Sequence, residues 1–472
     1  MAIKRYKATA DNTIANGYQE NLGTRATGSN MGQADVSEVY SIYGRATTSS
    51  SELSRIITQF DATTIASDRT AGTIPASGKV NFYLRLYNAE TSKTVPRDFK
   101  LVVEAISRAW TEGDGLDLEN YKDLGVSNWI SASQGVAWTT AGGDYHTTPT
   151  FEQTFETGLE DLDLDITTLV EQWIAGSKTN YGVGVRLTSS VESATTSYYT
   201  KRFFARGTQY FFKKPVIEAR WNSSLQDDRG DFYMSSSLAP AADNLNTLYL
   251  YNYVRGQLTN IPAIGTGELY VDLYETLGAT TLTQVLQTPA TGGYVSPGVY
   301  SCSVGLTGTY STLRDVWYLG STEYFTGTVS PKSFGSAGAS TGNSRYVTNI
   351  KNLRAKYFSE EEARFNVYVR SKNWSPTIYT VASTEIENTI IPSASYRVYR
   401  VLDGLNAIPH GTGSDLQTIL SYDVSGNYFN LDMSLLEPGY EYGIKLAFYD
   451  SQRQSWIEQD QKFLFRVEDY EY

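Results

Sequence analysis

The sequence predicts an all-β protein of tandem β-sandwich domains. The first is jelly-roll-like and the next two immunoglobulin-like, with one short helix near 166–175. Three observations lead there. The chain holds 36 Tyr, 18 Phe and 8 Trp against 4 Met, and ring side chains favour pleated, half-buried surfaces. Apolar and polar residues alternate in short runs, the period of a strand with one buried face. Turn residues recur between these runs roughly every ten residues, which suits sandwiches and not βαβ units. A length of 472 residues sets a prior of about three domains.

The elements follow in chain order. In 79–87, Val80, Phe82, Leu84 and Leu86 face one way and Asn81, Tyr83, Arg85 and Tyr87 the other. The run 99–104 continues the pattern less strictly, and 54–60 carries Ile56, Ile57 and Phe60. Ile166, Leu169, Val170, Trp173 and Ile174 recur at helical spacing, which places one apolar face, Trp173 included, against a core. Asp165 is positioned to cap the start of that helix and Gly176 its end. Residues 222–246 are polar, with Pro240, and 331–345 are rich in Gly and Ser; both read as linkers. The resulting domains are 1–221, 222–340 and 341–472.

The last two domains share an echo. Pro297-Gly298-Val299-Tyr300 and Pro438-Gly439-Tyr440-Glu441-Tyr442 each open an alternating strand. In sandwiches such a tyrosine often ties a corner back to the backbone. Strands are predicted at 269–274, 365–370, 396–401 and 463–467, and 423–429 reads as a hairpin.

Composition narrows the chemistry. One cysteine, Cys302, closes no disulfide within the chain. Two histidines and one cysteine are too few for zinc or thiolate sites. A Ser/His/Asp triad would need His146 or His410, and both sit in turn-like sequence, so both are expected as exposed loop residues. A formal net charge of −12 argues against nucleic acid as a partner. No run of 18 apolar residues and no signal peptide is present, so neither a membrane span nor export is expected.

Some acidic and aromatic groups offer a functional reading beside a plain one. Asp161, Asp163 and Asp165 share a strand face and suit a calcium ion, or form a solvated face running into the helix cap. The loop 113–120 carries Asp114, Asp117 and Glu119, a carboxylate pair for glycoside chemistry or an exposed turn. Arg229-Gly230-Asp231 matches an adhesion tripeptide. Tyr198, Tyr199, Phe203 and Phe204 would stack on sugar rings, or serve as core and interface. In each case the plain reading is favoured, so no catalytic, cofactor or metal residue is assigned.

Two resemblances add to this. Asp165-Ile166-Thr167, Leu169-Val170, Trp173 and Gly176, followed by Asn180-Tyr181-Gly182 and the strand to Val185, resemble the helix and flanking strands of DNRLRE-type β-sandwich domains. Trp110-Thr111-Glu112, 201–206, 214–219 and the start at 10–14 with 21–23 match that family's other elements in order. The resemblance implies a sandwich related to carbohydrate-binding modules of bacterial surface and secreted proteins. Residues 420–433, 436–442 and 463–467 resemble the C-terminal region of uncharacterised virion proteins of tailed, especially marine, bacteriophages. Together they lead to the expectation of a non-enzymatic virion component, without cofactor, that decorates or joins head, neck or tail. Its partners would be other virion proteins, in many copies. A carbohydrate-binding adhesin contacting host surface glycans is the alternative.

Overall fold

In the computed structural model, residues 2–91, 95–118, 125–237, 239–277, 281–332, 346–372 and 388–470 are described. The stretch 331–345, expected as a linker, lies outside them from residue 333 to 345, as do Glu119, Asn120 and the side chain of Tyr199. The chain is all-β, with 46% strand and 8% helix. It divides into two compact units, Ala2–Trp221 and Asn222–Tyr472.

The first unit contains strands β1 (Ile3–Ala15), β2 (Val36–Tyr43) and β3 (Ser51–Phe60), helix α1 (Ala62–Ala71), then β4 (Asn81–Leu86), β5 (Phe99–Ile106), β6 (Ser131–Ser133), β7 (Val136–Ala137), β8 (Tyr145–Phe155) and β9 (Leu162–Asp165). Helix α2 (Thr167–Ile174), β10 (Val183–Leu187), α3 (Ser189–Glu192), β11 (Tyr198–Phe204) and β12 (Val216–Arg220) follow. Hydrogen bonding runs β8-β5-β10-β3-β1-β12-β4-β9, with β2 between β3 and β11. β1 serves two neighbours: its first half pairs with β12 from Ile3↔Arg220 to Lys7↔Val216, and its second half pairs with β3 after a bulge at Ala8/Ala10. The buried side chains of β4, Phe82, Leu84 and Leu86, meet Val103, Phe155, Val185 and Ile217 in one core, as the alternation requires.

The predicted helix is α2. Asp165 Oδ1 accepts from the Thr167 amide at 2.8 Å, and Gly176 takes the left-handed conformation at φ +69° just past the end. Leu169, Val170 and Trp173 are buried. Two further helices correct the expectation of a single one. In α1, Asp61 accepts from the amides of Thr63 and Thr64, Gly72 ends the helix at φ +76°, and only Ile65 is buried. Helix α3 is a single turn. Arg69 of α1 clamps Glu171 of α2 with two bonds of 2.6 and 2.7 Å.

The second unit begins with β13 (Asn246–Tyr251), β14 (Tyr253–Val254), β15 (Gln257–Leu258), β16 (Leu269–Leu277), β17 (Thr281–Gln284), β18 (Ala290–Ser296), β19 (Val299–Val304), β20 (Leu313–Leu319) and β21 (Thr322–Val329). A seven-stranded sheet runs β13-β19-β18-β16-β20-β21, with β17 on β16. Leu248, Val271, Leu273, Tyr300 and Trp317 lie in its core. The rest comprises β22 (Tyr346–Ile350), β23 (Lys356–Phe358), β24 (Glu362–Ser371), β25 (Ala394–Arg400), β26 (Asn406–Ile408), β27 (Ser421–Asp423), β28 (Gly426–Asp432), β29 (Glu441–Asp450), β30 (Ser455–Glu458) and β31 (Phe463–Glu468). They form sheets β22-β24-β28-β27 and β23-β31-β29-β25-β26, with β30 on β29. Rings from both sheets stack: Phe365 on Phe429 at 5.1 Å and Tyr396 on Phe429 at 4.1 Å.

The predicted hairpin is β27–β28, closing at Asp423↔Gly426. Both tyrosines of the echo bond to backbone. Tyr442 donates to the Glu437 carbonyl at 2.7 Å. Tyr300 donates to the Gly265 carbonyl at 2.8 Å and accepts from the Ile261 amide at 3.1 Å. The polar stretch 222–246 carries structure of its own: the Asp227 amide donates to the Tyr422 carbonyl at 3.0 Å, Tyr422 donates to Asp228 at 2.6 Å, and Phe232 is fully buried.

Candidate functional site

In the first unit a cleft of about 700 Å³ opens over β3, β5, β8 and β10, lined in part by Arg55, Glu104, Arg108, Asp144, Tyr145 and Arg186. The strands carry Arg55, Glu104, Tyr145 and Arg186, and the loops between β5 and β8 supply Arg108 and Asp144. Each guanidinium has a carboxylate. Arg55 grips Glu192 at 3.0 and 2.6 Å and donates to the Gly142 carbonyl at 3.0 Å. Arg186 reaches Glu104 at 2.8 Å, and Arg108 reaches Asp144 at 2.6 Å. The Arg55 guanidinium lies 5.3 Å from the Trp129 ring centre and 5.7 Å from that of Tyr145. Trp110 donates to the Tyr181 carbonyl at 2.8 Å, beside the cleft.

This wall of paired donors and acceptors with aromatic sides suits hydrogen bonding to a neutral polar ligand. It is poorly suited to proton transfer. Burial would raise Asp144, but the amides of Thr139 and Thr140 and the Arg108 guanidinium hold it below the usual carboxylate range. His146 corrects the expectation of an exposed turn: it lies in β8 and is half-buried, with burial and then Lys178 holding it below its ordinary value.

The second unit assembles a Ser-His-Glu group. Ser395 Oγ is 3.0 Å from His410 Nδ1, and His410 Nε2 is 3.6 Å from Glu458 Oε2. His410 is in a loop, as expected, but half-buried. The arrangement does not make a nucleophile. Ser395 is 0% exposed and its hydroxyl is also shared with Thr418 at 2.8 Å. Glu458 is committed to Arg397 at 2.5 Å and Lys445 at 2.9 Å, and Arg397 first, then Lys445, holds it at about 2. Burial keeps His410 below its ordinary value. A hydroxyl enclosed in this way does not meet a substrate.

The remaining sequence candidates are dispersed. Asp161 accepts from the Asn88 amide at 2.7 Å, Asp163 pairs with Arg220 at 3.0 Å, and Asp165 caps α2. The three carboxylates have separate partners, and Asp165 holds the Thr167 amide from one residue before the N-cap Ile166. Asp114 and Asp117 are exposed, while Gly113 and Gly115 are buried. A Cβ on Gly113 would sit 1.9 Å from Asn30 Oδ1, so that loop needs glycine to pack. The Arg229-Gly230-Asp231 tripeptide is tied inward: Arg229 binds buried Asp315 at 2.6 Å and Asp231 binds Lys332 at 2.8 Å. Phe203 is in the core and Tyr198 packs against it, while Phe204 meets Tyr210 edge-on at 5.4 Å. Cys302 is buried, and burial lifts its thiol to about 12.

Several charges are buried without a mark in the sequence, among them Glu218 and Lys201. Glu218, 3% exposed, is ringed by Arg5 at 2.7 Å, Arg220 at 2.7 Å and Arg85 at 3.3 Å. Lys201, 1% exposed, donates to Asn88 Oδ1 at 2.7 Å and to the carbonyls of Gly158 at 2.9 Å and Glu160 at 2.7 Å. A signal for Lys201 existed: it is in phase with Phe203, two residues on, and so points inward on the same strand.

No family model and no curated protein matches the chain. Among solved structures it is similar to the adhesin InvE of Yersinia pseudotuberculosis, at 10% identity and a TM-score of 0.15, covering 52% of this chain and 56% of that one. It is also similar to Escherichia coli alpha-2-macroglobulin in its native conformation, at 8% identity and a TM-score of 0.16, covering 87% of this chain and 21% of that one. The trypsin-activated form of that protein gives 8% identity, a TM-score of 0.17, and coverage of 88% and 24%. The chain thus spans about half of the adhesin chain and less than a quarter of each macroglobulin chain. Among the described residues, no helix is long and apolar enough to cross a membrane.

Proposed function

We propose that this chain is a non-enzymatic structural component of a tailed-bacteriophage virion, joining or decorating head, neck or tail in many copies. One observation carries the reading: the Ser-His-Glu group and the Arg229-Gly230-Asp231 tripeptide are spent on internal bonds. Ser395 is enclosed, Glu458 is doubly paired, Arg229 binds buried Asp315, and Asp231 is paired with Lys332. One projecting element is apolar. The β14–β15 hairpin presents Tyr253 and Val254 with Leu258 opposite, a form suited to burial against another protein. The resemblance of the C-terminal block supplies the phage context. The test is the composition of purified particles. The intact chain at a fixed copy number is expected; particles lacking it overturn the proposal.

The cleft over β3, β5, β8 and β10 favours a second reading, a carbohydrate-binding adhesin contacting host surface glycans. A glycan array should then give binding that Trp110→Ala weakens. Absence of any binding removes this reading and leaves the first intact.

A further inference from the structure

The core of the first unit holds an amine that the functional reading does not use. Lys201 Nζ lies between two phenyl rings, 4.8 Å from the centre of Phe203 and 5.1 Å from that of Phe155. Its three hydrogen-bond acceptors are uncharged: two peptide carbonyls and the side-chain carboxamide of Asn88. The backbone that carries this carboxamide is fixed from both sides. Asn88 pairs with Phe203 of β11 in an isolated bridge, and its backbone N–H donates to Asp161 Oδ1 at 2.7 Å. A carboxylate therefore stands beside the residue that the amine touches. Burial presses Lys201 down to about 8, against the attraction of Glu160 and Asp161. A share of the amine is then neutral near neutral pH, and a neutral amine is a nucleophile.

Each part of an amide exchange is present. The amine is 2.7 Å from Asn88 Oδ1, so the amide carbon lies one C=O bond further on, in reach of attack. The rings keep the pair dry, which favours reaction of neutral groups over hydration. Burying an ammonium is costly, and converting it to an amide removes the charge for good.

We propose that Lys201 and Asn88 join in an intramolecular isopeptide bond. The Nζ lone pair attacks Asn88 Cγ and forms the new C–N bond. The tetrahedral intermediate collapses with cleavage of the Cγ–Nδ2 bond. The proton released by Nζ passes to Nδ2, which leaves as ammonia. The product is one secondary amide, with no change of oxidation state and no cofactor. Its remaining N–H still has the Gly158 and Glu160 carbonyls as acceptors.

Intact-mass spectrometry of the full chain reads the bond directly. The expected mass is lower than that of the sequence by one ammonia, about 17 Da, with a branched peptide joining the segments around 88 and 201 after digestion. Lys201→Arg and Asn88→Ala should restore the sequence mass. Asn88→Asp should instead lose water, about 18 Da. A wild-type chain that keeps its full mass after prolonged incubation at pH about 8, near the folded value of the amine, overturns the proposal, whether or not any variant folds. A mass loss that persists in Asn88→Ala overturns the choice of partner.

Discussion

Glu218 and Lys201 are both charged residues buried in the first unit, and their surroundings are opposite in kind. Glu218 sits on the face shared by β1, β12 and β4, where three arginines from three strands converge on it. Burial alone would raise its pKa, but the arginines overcome this and hold it well below the carboxylate range. Lys201 donates to dipoles, and there burial wins and lowers the amine to about 8. Hydrogen bonds fill the valences of both. Full counter-charges at contact distance decide which stays ionised. One site keeps its charge and is structural; the other is prepared to lose it.

The largest expected effect comes from removing the anion. Glu218→Gln leaves three guanidiniums facing one another without it, and should cost about 3–5 kcal/mol, as breaking a buried pair typically does. Denaturant midpoints at constant slope check this. A loss below about 1 kcal/mol would place the network among surface pairs and erase the contrast with Lys201.

Acid probes the same group with a defined sign. Its folded pKa is depressed, so its contribution is complete above the ordinary carboxylate value of 4.5 and is lost as pH falls toward the folded value. Glu218→Gln should therefore flatten the acid limb of the stability curve.

Base probes Lys201. In Asn88→Ala the residue must remain an amine, with a folded pKa depressed from 10.5. The unfolded state then binds more protons between the two values, so stability should rise with pH from about 8 to 10.5. The cross-linked wild type should lack that rise. The same alkaline slope in both chains would mean that Lys201 titrates in both.

The smallest effect belongs to the rim of the arginine network. Asp163 is 39% exposed where it pairs with Arg220, so Asp163→Asn should change stability by no more than about 1 kcal/mol. A loss as large as that of Glu218→Gln would show that the network acts as one unit rather than as a buried centre with a solvated edge.

Much of the fold was legible in the sequence because period and punctuation agreed. β4 alternates strictly, α2 carries an apolar face between Asp165 and Gly176, and the 423–429 hairpin has its turn residues in place. Helix α1 was not legible. It buries only Ile65, so it lacks an apolar stripe, and its sign is confined to the caps Asp61 and Gly72. The candidate site was harder still. Ser395, His410 and Glu458 meet through strands and a loop far apart in sequence. Lys201 reads as an ordinary polar residue of an alternating strand until its phase with Phe203 is weighed.

The pairing of the first and last strands of the first unit has a mechanical consequence. Ile3 faces Arg220, and the Trp221 amide donates to the Ala2 carbonyl at 3.0 Å, so the chain enters and leaves this unit at one point. Tension along the polypeptide would load β1 against β12 as a zipper, rung by rung from that point, and not as a shear across the whole strand. Such a seam opens at low force. A covalent tie between residues 88 and 201 would stop the unravelling from both sides, and the chain between them could not lengthen however far the ends were drawn.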